Sequence, residues 1–236
     1  MSTLLSESTE IAEVLESQKA GERIAWLYET FGDRVVASSS FGLQAAVMLQ
    51  LIAEYAPKIP VVFVDTGYLF PETYRYIEEL KVKLDVDLRH YVPKMTAAHQ
   101  DTIYGKLWES HPKEYAKLNK VEPMNRALKE VGGDIWLSGL RRSQSSSRAD
   151  RALAEQQGST LKVYPILDWA DAQVSSYFYE KDLPRHPLEE QGYVTMGDWH
   201  STRKPRQGES AEETRFDGEK YECGLHEDSG QNDFQI

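Results

Sequence analysis

Short apolar runs, each closed by a polar loop and followed by a helical pattern, recur along this chain and constrain its fold more than any other feature. Residues 34–38 (RVVAS) run into a serine-rich loop, and an almost wholly apolar helix is predicted from residue 43 to about 55. Residues 60–64 (PVVFV) read as a strand with no polar face, ending at Asp65, Thr66 and Gly67. Pro71 is placed to open the next helix, because a proline at the first helical position loses no hydrogen bond, and the pattern runs to about Lys83. Further strands are expected at 85–92, 134–138 and 161–167, with a closing helix over 169–181. Before them, residues 9–31 carry apolar residues at helical spacing: Ile11, Val14, Leu15, Ile24, Trp26, Leu27 and Phe31. Strands without a polar face, alternating with helices, predict an α/β fold: a mostly parallel sheet with helices on both faces. Ligands of such folds sit at the carboxyl ends of the strands, where three polar segments of this chain fall, at 38–42, 65–67 and 139–148.

Charge is divided unevenly. The formal net charge is −11. Residues 1–33 hold seven acids and two bases, and residues 207–236 hold nine acids and two bases. The middle is therefore close to neutral and can accept an anion, while a generally basic nucleic-acid surface is not expected. The first residues lack the basic start and apolar core of a secretory signal, and no apolar run is long enough to span a bilayer, so a cytoplasmic protein without membrane contact is expected. From Ser201 onward the apolar periodicity fades, and residues 201–236 read as a flexible tail behind a single domain over 1–200.

The standard phosphate and dinucleotide loops, G-x-x-x-x-G-K-[ST] and G-x-G-x-x-G, do not occur. Ser38, Ser39, Ser40, Phe41 and Gly42 stand in their place between a buried strand and a buried helix. Hydroxyls and backbone N–H groups there can converge on an anion, although serine also caps helices with no ligand at all. Asp65 can hold a base amino group or a ribose hydroxyl, or simply close a turn with Gly67. Residues 139–148 (GLRRSQSSSR) set Arg141, Arg142 and Arg148 among four serines, and no acid occurs between Asp134 and Asp150. Guanidinium groups offer paired donors to phosphate and sulfate oxygens, so anion binding is favoured there.

The chain has one cysteine, Cys223. That excludes an internal disulfide and any metal centre built on cysteines alone. A lone cysteine is most often a small buried hydrophobe. Cys223, however, sits among polar neighbours in KYECGLHED, so an exposed thiol is the favoured reading; Glu222 would raise its pKa while His226, Lys220 and Arg215 would lower it. The histidines show no metal-ligand spacing.

Taken together, SSSFGLQAAV, VDTGYLFPETYR, YGKLWE, KVEPMNRAL, GLRRSQSSSR, RHPL and ECGLH, in this order from about Arg34 to His226, resemble the thioredoxin-dependent phosphoadenylyl-sulfate (PAPS) reductases. The resemblance implies a Rossmann-like adenine nucleotide α-hydrolase fold that binds the nucleotide within residues 1–200. It also implies reduction of PAPS to sulfite in assimilatory sulfate reduction, through an S-sulfocysteine on Cys223. Lys120, Arg141, Arg142, Arg215 and His226 are then expected around the sulfate and phosphates, with Ser38, Ser39, Ser40, Phe41, Gly42 and Asp65 around the nucleotide. Related reductases acting on adenylyl sulfate carry a four-iron cluster on an adjacent cysteine pair and a C-x-x-C. The corresponding positions here are Tyr115, Ala116, Asp198 and Ser201, so the cluster-free branch is implied, with no iron–sulfur cluster, flavin or metal. Reduced thioredoxin or glutaredoxin is the implied electron donor, and a homodimer the implied assembly. Alternatives are adenylyl-sulfate reduction, an ATP pyrophosphatase of the same fold, a Cys–His hydrolase pairing Cys223 with His226, and a non-catalytic nucleotide-binding module.

Overall fold

The computed structural model describes residues 2–215, with side chains from residue 8 onward except that of Glu212. Six strands form one sheet: β1 (Val35–Ser38), β2 (Pro60–Val64), β3 (Asp87–Tyr91), β4 (Ile135–Leu137), β5 (Ala154–Gln157) and β6 (Thr160–Val163). Their order is β3-β2-β1-β4-β6-β5. All neighbouring pairs are parallel except the β5–β6 hairpin. The expected mostly parallel sheet is therefore present, with one antiparallel edge.

Alternation along the strands divides the core into two layers. Val35 and Ala37 of β1, Val61 and Phe63 of β2, and Ile135 and Leu137 of β4 face the larger layer. That layer is built by α2 (Ala20–Phe31), α3 (Ala45–Tyr55), α4 (Pro71–Lys83) and α9 (Asp171–Glu180), after α1 (Ser2–Glu16) at the start of the chain. Val36, Val62 and Trp136 point the other way, onto Met124 and Ala127 of α8 (Glu122–Val131). Because both faces are covered, β2 has no polar side, and each fully buried valine or phenylalanine contributes roughly 1.5–3 kcal/mol. On α3, Ala46, Val47, Met48, Leu49, Leu51 and Ile52 are all buried, as its apolar sequence predicts. Pro71 opens α4, with Glu72 in its first turn and Lys81 and Lys83 in its last, which suits the helix dipole at both ends.

The structure differs from the sequence reading in four places. The strand expected over 161–167 stops at Val163, because Tyr164 to Leu167 fold into a turn around Pro165. Strand β5 is new; its Glu155, Gln156 and Gln157 lack strand character but pair across the turn at Gly158, whose φ is +58°. The stretch between β3 and β4 holds α5 (Ala97–Tyr104), α6 (Leu107–Ser110), α7 (Pro112–Ala116), a π-helical turn (Lys117–Val121) and α8. Residues 201–215, read from the sequence as the start of a flexible tail, make contacts of their own. Thr202 pairs with Arg215, Arg203 N–H donates to Thr214 O, and Arg203 holds Glu209, so the polar composition of this stretch is used internally as far as Arg215. No helix among the described residues is long and apolar enough to cross a membrane.

Two buried positions give stability predictions. A Cβ added to Gly133 would lie 2.6 Å from Val36 Cγ1, inside a close-packed strand, so Gly133→Ala should lower stability by about 1–3 kcal/mol in urea denaturation. His186 is fully buried; its Nε2 lies 3.1 Å from Thr73 Oγ1 and its Nδ1 accepts from the Leu188 N–H. Burial pushes its pKa down to about 4, so the folded chain holds it neutral while the unfolded chain protonates it near 6.5. The corresponding stability is present above pH 6.5 and is lost as pH falls toward 4, amounting to roughly 2 kcal/mol at pH 4.5. The stability gap between the native chain and His186→Gln should narrow by that amount from pH 7 to pH 4.5.

Candidate active site

The strand order sets where a site can form. From β1 the chain moves outward to β2 on one side, whereas β4 leads to β6 on the other, so the connections part between β1 and β4 and leave a crevice at their carboxyl ends. A cavity of about 430 Å³ lies there, in the range of a nucleotide-sized site. Ser38, Ser39, Ser40 and Gly42 line it after β1, Thr66 after β2, and Ser138, Gly139 and Arg141 after β4. Lys120, Arg148 and Arg215 bring further positive charge.

The serine loop turns sharply to reach α3. Phe41 takes a φ of +51°, which an L side chain tolerates only when its surroundings fix it. Here the ring is 1% exposed and meets Phe63 edge-on at 5.0 Å, and the Phe41 N–H donates to Ser39 Oγ at 3.1 Å. Phe41 thus anchors the loop in the core and is not on the cavity wall. Ser38 Oγ accepts from Trp136 Nε1 at 2.7 Å. Gln44 and Ala45, at the start of α3, also line the cavity, where helix N–H groups favour an anion.

The expected cations divide into two groups. Arg141 is 1% exposed; it donates to Asp171 Oδ1 at 2.8 Å, Ser143 Oγ at 2.8 Å and Trp169 O at 3.1 Å, and also bonds Gln44 Oε1. It joins the starts of α3 and α9 across the cavity floor. Arg142 instead turns away from the cavity, donating to the carbonyl of Arg151 at 3.1 and 2.8 Å. Asp65 is likewise engaged elsewhere: it closes its turn by accepting from the Gly67 N–H at 2.8 Å and takes the Tyr74 hydroxyl at 2.7 Å. Cys223 and His226 lie outside the described residues.

Read from residue type alone, Asp198 is only a position without a cluster cysteine, yet the structure makes it a central side chain of the site. It is buried, and its carboxylate takes Lys120 Nζ at 2.6 Å, Thr66 Oγ1 at 2.6 Å and the Tyr115 hydroxyl at 3.1 Å. Burial pushes this carboxyl up, but the Lys120 charge and the hydrogen bonds from Lys120 and Thr66 outweigh it and hold the group below the usual carboxylate range. His200 stacks on Trp108 at 4.5 Å with Nε2 3.9 Å from Asp198; burial pushes its pKa down to about 4 despite the nearby carboxylate, so at neutral pH this contact is not an ion pair. Tyr115 and Asp198 are 83 residues apart in the chain and share a hydrogen bond.

Comparison with known proteins agrees with this architecture. Residues 34–204 match the phosphoadenosine phosphosulfate reductase domain. The phosphoadenosine 5′-phosphosulfate reductase of Photobacterium profundum is 45% identical over 98% of this chain and 94% of its own. That of Sodalis glossinidius is 51% identical over 90% and 88%. Among solved structures, the PAPS reductase of Candida auris in its phosphate complex superposes with a TM-score of 0.74 at 32% identity, covering 83% of this chain and 95% of that one. Candida glabrata FMN adenylyltransferase, at 14% identity and a TM-score of 0.59 over 87% of this chain and 70% of its own, shares the fold alone. On the extent of these matches, the chain belongs to the phosphoadenosine phosphosulfate reductase family.

Proposed function

We propose that this chain reduces PAPS to sulfite and adenosine 3′,5′-bisphosphate, using electrons from reduced thioredoxin or glutaredoxin. The observation that carries the reading is the cavity at the strand ends, where Lys120, Arg141 and Arg215 face a serine-rich loop in a chain of this family. A polyanion that is also an adenine nucleotide suits that combination of charge, hydroxyls and volume.

The thiolate of Cys223 attacks the sulfate sulfur. The bond from that sulfur to the phosphate oxygen breaks, and its electron pair leaves on adenosine 3′,5′-bisphosphate. The leaving phosphate is a weak base, so preorganised cations matter more than a proton donor. Cys223 then carries a sulfonate as S-sulfocysteine. A thiolate of the reduced partner attacks Cys223 Sγ, sulfite departs with the electron pair, and the partner's second thiol resolves the mixed disulfide. The dithiol supplies both electrons that the sulfur gains, so the chain needs no prosthetic group of its own. Cys223 lies eight positions beyond Arg215, which is at the cavity; a chain of that length reaches up to about 26 Å, enough to return the thiol to the cavity. His226, three residues beyond Cys223, would accompany it to the sulfate. A cytoplasmic location and a homodimer complete the reading.

The test is sulfite release from PAPS with reduced thioredoxin. Cys223→Ser should lose about a thousandfold or more, since a hydroxyl cannot replace the thiolate as nucleophile and redox atom. Full activity in that variant would overturn the mechanism, and equal turnover of adenylyl sulfate would overturn the preference for the 3′-phosphorylated nucleotide.

A further inference from the structure

Two of the cavity's cations come from unrelated parts of the chain, Lys120 from the π-helical turn and Arg215 from the end of the described residues, and both are held by one short segment. Met196 O accepts from Arg215 Nη1 at 2.5 Å. Gly197 lies directly under the same guanidinium: a Cβ there would stand 2.2 Å from Nη1 and 2.6 Å from Cζ, closer than any side chain permits. Asp198 holds Lys120 at 2.6 Å. The segment is fixed at both ends of this stretch. Thr195 Oγ1 meets Thr214 Oγ1 at 2.8 Å, beside Arg215, and the Trp199 N–H donates to Tyr68 O at 2.9 Å in the loop after β2. Thr195, Met196, Gly197 and Asp198 all line the cavity with the two cations.

We propose that residues 196–198 form a positioning strap that aims Arg215 and Lys120 into the cavity, with Gly197 as the position whose missing side chain lets the guanidinium lie there. The inference rests on the reading of this cavity as the PAPS site. Arg215 meets the anion, whereas Gly197 acts only through Arg215. Replacing Gly197 by alanine leaves every charge in place and moves one guanidinium.

The two roles separate in a double-mutant cycle. Affinity for adenosine 3′,5′-bisphosphate is measured by calorimetry for the native chain, Gly197→Ala, Arg215→Ala and the double variant, with thermal midpoints as the control for folding. Each single variant should weaken binding by about tenfold, the scale of one charge-assisted hydrogen bond, and the double variant should bind no more weakly than Arg215→Ala. In PAPS turnover the loss from Gly197→Ala should appear mainly in KM. If Gly197→Ala does not fold, Thr195→Val, which removes the contact to Thr214, replaces it in the same cycle. Weakening by Arg215→Ala but not by Gly197→Ala, or equal additional loss in the double variant, overturns the strap and leaves the site assignment standing. Undiminished binding in Arg215→Ala overturns the assignment of Arg215 to the anion, and the strap with it.

Discussion

Asp198 is a carboxylate almost without water, 1% exposed and still ionised. A buried charge of this kind is sustained only by partners, and removing one partner from such a pair costs about 3–5 kcal/mol. The carboxylate ties its own stretch, after α9, to two other segments: Thr66 after β2, and Tyr115 and Lys120 from the helical insertion. The surrounding rings of Tyr68, Trp108, Tyr115 and His200 lower the local polarity, which strengthens each contact and makes any missing one costly. One carboxylate thereby fixes the far wall of the cavity.

The near wall depends on the sheet. Strands covered on both faces end abruptly, so their carboxyl ends deliver backbone and hydroxyl groups to one rim. Phe41 shows how the two demands meet. A left-handed phenylalanine is unfavourable in isolation, but its ring is seated against Phe63 in the larger core layer, and core packing holds the serine loop in shape. Arg141 has a similar double role, since the bonds to Asp171, Trp169 and Gln44 that fix the starts of α3 and α9 also hold its charge at the floor.

How far the sequence was legible follows the same physics. β1, β2 and α3 are legible because burial on several sides leaves an apolar run, and α4 because Pro71 marks its start. β5 left none, since an edge strand of Glu155, Gln156 and Gln157 needs only a turn and a neighbour. The insertion from α5 to α8 leaves little apolar pattern in the sequence, because its buried positions are few and partly polar, Gln100, Asn119 and Lys120 among them. In the site, residue type located the serine loop and Arg141, but it could not tell that Asp65 and Arg142 spend their hydrogen bonds on Tyr74 and Arg151. Asp198 was the hardest to read, because a carboxylate gains its role only from what the fold places beside it.

If the cavity takes a polyanion as proposed, the pairing of its cations with carboxylates accounts for such a site in an acidic chain. The net charge of −11 gives no long-range attraction for such a ligand, so recognition has to come from short-range geometry. Lys120 and Arg141 are already held by Asp198 and Asp171, and a side chain fixed before the ligand arrives loses little freedom on binding. The cost is that part of each charge is neutralised in advance. An anion bearing a single phosphate gains little from cations so compensated, whereas one bearing several groups at fixed spacing gains at each of them. On the proposed function, selectivity for a multiply charged nucleotide would then come from preorganisation rather than from excess positive charge.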